Sequence, residues 1–149
     1  MKNLFDINTS NEIVSRINRL EAATKPLWGK MTVAQMIKHS QAPLLVAFGD
    51  MKLKQSLIGV LFGKMAKKKL IAGDGFTKGL PTAKEFIVKD QPDFEMEKQK
   101  LISLVQRFQS NGPSGLTQLP HPFFGKLTDD EWDQLEVKHL DHHLNQFGV

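Results

Sequence analysis

At 149 residues, with 40% of them apolar, a formal net charge of +4 and no cysteine, the chain is sized for one domain, residues 1–149, burying roughly two-thirds of its unfolded surface. Without cysteine there is no disulfide, thiolate ligand or cysteine nucleophile, so any metal must sit on His, Asp or Glu, and the composition fits a cytoplasmic protein. The positive charge is too mild and dispersed for a nucleic-acid face, and no window approaches the roughly 18 apolar residues of a membrane span, so neither nucleic acid nor stable membrane association is expected.

The opening MKNLFDINTSNEIV has no signal-peptide run. Asn8, Thr9 and Ser10 are helix-capping types, and Ile13, Ile17 and Leu20 follow at helical spacing with Arg16 and Arg19 turned outward, which predicts a first helix ending before Pro26. Thr32 and Gln35 form a capping box for a second helix, with Val33, Met36, Ile37, Ser40, Leu44 and Ala47 inward, His39 at the edge of that face and Pro43 expected to bend it. From Phe48 to Asp93 the chain is rich in glycine. Within this excursion Leu57–Ile71 is predicted as a short helix, its lysine cluster suiting a solvated rim, a membrane-surface contact or a homodimer contact. So long a connection suits a crossover, which makes the second and third helices parallel.

The third helix starts at Asp93 and runs to Ser110 with Met96, Leu101, Leu104, Val105 and Phe108 inward, and Asn111-Gly112-Pro113 stops it. The turn-rich stretch from Ser114 to Lys126 contains HPFFG at His121–Gly125. Thr128 and Glu131 form a second capping box, and Asp129 and Asp130 sit where the helix dipole favours negative charge. Trp132, Leu135, His139 and Gln146 then mark an inward stripe, and Phe147 is expected to pack inward. No stretch alternates as a strand does, so the expected class is all-α.

His139 and His143, four apart on one helix, aim two imidazoles at one point, which is metal-ligand spacing. His142 also neighbours His139, three residues on, but the inward stripe continues better through His143. The other histidine on a strongly helical segment is His39, so a three-histidine site of His39, His139 and His143 is expected. Gln146 and His121 are the candidate catalytic residues: Gln146 could bond a ligand ring or a bound water, and His121 could act as general base or fourth ligand. The plainer alternative for His121 is that HPFFG only anchors its loop, with Phe123 and Phe124 on the core. Glu136, one turn before His139, could orient that imidazole or simply be solvated. Trp28 and Trp132 are expected in the core or as pocket walls.

The segments WGKMTVAQMIKHS (Trp28–Ser40), Pro81-Thr82, HPFFGKLT (His121–Thr128) and HLDHHLNQFG (His139–Gly148) resemble the DinB/YfiT-like superfamily over nearly the whole chain. The resemblance implies a four-helix bundle, up-down-down-up, with a long crossover between helices two and three. It also implies a divalent metal, zinc or nickel first and iron or manganese next, on His39, His139 and His143, with Gln146 following. Members commonly carry Arg-Gly before that glutamine; this chain has Leu144 and Asn145. Relatives include thiol-dependent transferases, which implies a metal-dependent transferase or hydrolase of a small molecule, with a low-molecular-weight thiol as a partner. The competing expectation is a non-catalytic binding or stress-related protein, with no cavity beside the ion.

Overall fold

The structure, a computed structural model, describes residues 2–73, 75–80 and 82–149, without the side chains of Leu57, Ile58 and Val60. Pro81, the neighbour of Thr82, lies outside the described residues. Among those described, five α-helices carry the fold: α1 (Ile7–Asn18), α2 (Val33–Ala47), α3 (Leu57–Ala72), α4 (Phe94–Asn111) and α5 (Asp129–Gln146). Short 3-10 turns lie at Lys84–Phe86 and Gly112–Gly115, and a lone bridge pairs His121 with Gly125. The all-α expectation holds for this set.

Both capping boxes form, Thr32 with Gln35 and Thr128 with Glu131, each satisfying backbone donors that a helix start leaves free. Asp93 caps α4, and Gly112, at φ 57, ends it in a conformation that suits glycine. At the first helix the cap is Asp6, whose carboxylate accepts from the Asn8 and Thr9 amides; the expected cap residues Asn8, Thr9 and Ser10 lie inside the helix. Pro43 removes one backbone donor, yet α2 is helical through it.

α2 packs on α4 and α5, α1 packs on the same two, and α3 lies on α5. Ile13, Met36, Leu44, Val105, Trp132 and Leu140 are among the buried side chains that these stripes bring together. Leu20 is buried just beyond the end of α1, and Phe147 is buried as expected. Met96, by contrast, is 51% exposed, and Lys98 turns inward in its region of α4 to donate to the carbonyls of Asn18 and Leu20. An ammonium on the carbonyls left open at a helix end replaces an apolar contact there.

Arg16 corrects the sequence reading. Expected outward, it is buried, bonding Asp141 at 2.6 Å, Asn145 at 2.9 Å and the Val149 carbonyl at 2.9 and 3.1 Å. Helical periodicity could not reveal this, because the partners lie more than a hundred residues away. At the other end of α5, Asp133 accepts from the Leu4 amide at 2.6 Å. The N-terminal segment therefore holds both ends of the helix that carries two of the histidines.

α3 docks through small residues and charge. A Cβ at Gly59 or Gly63 would overlap the Phe123 backbone, so the two glycines let the helix lie directly on the 121–125 loop. Lys138 of α5 donates to the carbonyls of Leu70, Ile71 and Gly73 at 3.0, 2.8 and 2.9 Å, closing the C-terminal end of α3, and Lys67 pairs with Glu131 at 2.8 Å.

Arg16→Ala should lower unfolding free energy by about 2–3 kcal/mol, since it strips charge-assisted bonds from a buried group. Urea denaturation checks this, and Arg16→Lys should recover only part because a point charge cannot span three acceptors.

Candidate metal centre

α2 and α5 pack together, and this contact brings His39 of α2 against His139 and His143 of α5. The three rings are buried, and one nitrogen from each lies within 4.8 Å of the others. The Nε2 atoms of His39 and His139 are 3.2 Å apart. Two nitrogens on one tetrahedral zinc, each at roughly 2.0–2.1 Å, would sit about 3.3 Å from one another, so this pair is spaced as ligands are.

Hydrogen bonding outside the cluster decides which nitrogens face inward. His39 Nδ1 lies 2.9 Å from the Phe86 carbonyl, which can only accept, so Nδ1 carries the proton and Nε2 keeps its lone pair. Gln146 donates its Nε2 to the Trp28 carbonyl at 2.7 Å, which turns its Oε1 toward His143 Nδ1 at 2.8 Å; that nitrogen must therefore donate. His143 Nε2 is then the acceptor. Outer nitrogens donating to carbonyl oxygens while inner ones stay basic is the usual arrangement around a metal-bound imidazole. Gly29 makes the Trp28–Gln146 contact possible: at φ 86, a Cβ there would come within 2.5 Å of Gln146 Nε2.

His139 is the exception. Its Nδ1 is buried without a partner, and so are both carboxylate oxygens of Glu136, one turn earlier. Glu136 is fully buried, which overturns the solvated reading, and burial pushes its carboxyl up to about 8. A neutral acid and an unpartnered imidazole nitrogen thus sit on adjacent turns of one helix.

Burial holds the rings neutral, as ligands must be. It lowers His39 against the opposing Phe86 carbonyl, takes His139 well below its ordinary value, helped by the neighbouring rings, and takes His143 to about 3.

Residues 2–148 match the family described as protein of unknown function, DUF1569. The chain belongs to the DUF1569 family. Searches of curated proteins and of solved structures give no match.

In this DUF1569 chain the expected site residues separate into two places. His39, His139, His143 and Gln146 come together. His121 does not join them: its ring packs on Trp132 at 5.4 Å between centroids, and Trp132 precedes His139 by seven residues, about 10 Å along α5. Its Nδ1 accepts from the Phe123 and Phe124 amides at 3.0 and 3.1 Å, so it holds the HPFFG turn closed, and burial lowers it to about 4. A ring nitrogen committed to two amides is unavailable as a base. His142 is half-buried on the flank of α5, 5.0 Å from His143 and 5.8 Å from Trp28 between ring centroids.

On the His142 flank of α5 is a cavity of about 300 Å³ lined by Trp28, Phe76, Lys78, His142 and neighbours, with His39, His139 and His143 outside its lining. Phe76, one of its lining residues, has its ring centroid 5.4 Å from that of His139, and Lys78 lies 4.1 Å over the Trp28 ring. Sequence reasoning missed Phe76 and the Phe86 and Trp28 carbonyls. No pattern signals a loop carbonyl as an imidazole partner.

The pH dependence of the metal-free protein follows from these shifts. Below pH 6.5 unfolded histidines take up protons that His39, His121, His139 and His143 refuse when folded, so stability falls as pH drops, down to about 4 for His121 and about 3 for His143. Glu136 acts oppositely: its folded pKa is raised, so its contribution is full below 4.5 and is lost as pH rises to about 8. Thermal midpoints should therefore peak near pH 6.5, and Glu136→Gln should abolish the alkaline decline while leaving the acid one.

Proposed function

We propose that this protein is a divalent-metal-dependent enzyme acting on a small molecule, a thiol-dependent transferase or a hydrolase, with its ion on His39, His139 and His143. The observation that carries the reading is the convergence of three buried imidazoles, with the outer Nδ1 atoms of His39 and His143 held as donors so that their Nε2 atoms are basic, and the His139 Nε2 3.2 Å from that of His39. Bringing lone pairs together away from water is unfavourable unless a cation or a proton lies between them. Three neutral nitrogen donors suit zinc or nickel ahead of iron or manganese.

The same reading includes the superfamily resemblance: α1, α2, α4 and α5 as an up-down-down-up four-helix bundle, with α3 inside the long crossover. The contacts of α2 and α1 with both α4 and α5 support it.

When bound, a divalent ion with an open position supplies Lewis acidity and lowers the pKa of a coordinated water or thiol. The chain's own residues do the rest. The Phe86 carbonyl and Gln146 lock two rings in orientation, and burial keeps all three unprotonated near neutral pH. Gln146, tied to Trp28, is a positioning residue that links the ligand set to the cavity wall. Trp28 and Phe76, which line the cavity on the His142 flank of the cluster, offer apolar surface to a small substrate.

Chelator-stripped, untagged protein should bind about one equivalent of zinc or nickel by calorimetry, and His139→Ala should weaken binding at least a hundredfold. A screen of electrophilic small molecules with low-molecular-weight thiols should find turnover that the same substitution removes. Failure to bind either metal would reject the site; binding without turnover in any thiol or hydrolytic assay would reject the enzyme.

A further inference from the structure

α3 is apolar on two sides, and only one is used. Its inner side, with Gly59, Gly63 and Leu70, is buried on the 121–125 loop and α5. Its outer side leaves Leu61 76%, Met65 68% and Phe62 52% exposed. On a helix, positions 61, 65 and 68 form one row and 62, 65 and 69 the next, so the three apolar side chains share a face with Lys68 and Lys69, while Lys64 flanks them. Residues 51–73 contain six lysines and neither Asp nor Glu.

We propose that this outer face is a docking surface for the anionic headgroup layer of a lipid bilayer. Large apolar side chains ringed by lysines fit the boundary between acyl chains and acidic headgroups, where the ammonium groups meet phosphate and carboxylate while leucine, phenylalanine and methionine enter the layer. A nucleic-acid backbone would match the lysines but leave three large apolar side chains in water. A second copy meeting this face across a two-fold axis would bring lysines against lysines, with no acidic residue in the segment to pair them. The helix is also held from behind. Lys138 fixes its C-terminal end and Lys67 ties it to Glu131, so it lies against the body with its outer row presented. Among the described residues no helix is long and apolar enough to cross a membrane. Docking is therefore peripheral, reversible and weakened by salt.

Vesicle flotation tests this with the full chain, comparing phosphatidylcholine vesicles with ones containing about one-third phosphatidylserine. Wild-type protein should float with the anionic vesicles at low salt, stay behind with neutral ones and be released as salt rises. Lys64→Gln/Lys68→Gln/Lys69→Gln should weaken binding roughly fivefold for each lysine removed. Leu61→Ser/Met65→Ser should lose it, with circular dichroism and thermal midpoint unchanged because both positions are exposed. No flotation with phosphatidylserine vesicles, or equal flotation with both kinds, overturns the proposal. A dimer seen by light scattering and lost in Leu61→Ser/Met65→Ser, without vesicle binding, would assign the face to a second copy instead.

Discussion

Inside a packed helical body the His39 Nε2, left basic by the bond its Nδ1 makes to the Phe86 carbonyl, faces the His139 Nε2 at 3.2 Å. In the metal-free protein a shared proton between the His39 and His139 Nε2 atoms can hold that contact, with His139 as the donor. The arrangement leaves His139 Nδ1 without a partner in the interior. A protein interior tolerates few such orphaned atoms, because each forfeits its hydration without replacement. Much of the surrounding structure can be understood as what keeps these rings in register despite that cost.

The constraint is met mostly by distant segments. Helix α5 carries two of the three rings and is held near its start by the Leu4 amide on Asp133 and near its end by Arg16 on Asp141, Asn145 and Val149. His39 is oriented by a carbonyl from the 3-10 turn in the long connection, and His143 through Gln146 by a carbonyl just before α2. Orientation thus comes from backbone oxygens in connecting segments, while the helices set position. A rigid rod fixes where a Cα lies; only a directional bond at the far nitrogen fixes how the ring turns.

The long connection has two further roles. It returns Phe76 to the His139 ring and to the lining of the cavity at His142, and it lays α3 across α5 and the closed HPFFG turn. That turn depends on His121, whose ring nitrogen is spent on two amides. Metal-ligand candidacy and loop anchoring draw on the same residue type, and which applies depends on what surrounds the second nitrogen. The two glycines of α3 and the closed turn form one contact, since the helix could not approach so near a backbone if either glycine carried a side chain.

The sequence alone determined the helical class, both capping boxes, the stop at Gly112 and the pairing of His139 with His143, because each depends on residues within a few positions of one another. It also favoured His143 over His142 through the inward stripe. Only the tertiary structure decided the rest: that Arg16 turns inward, Met96 turns outward, Glu136 is fully buried and His121 stands apart from the cluster. In each of these the deciding partner or neighbour belongs to another segment, where local periodicity carries no information. Helical spacing tells which side chains share a face, whereas what that face meets is settled by how the helices pack.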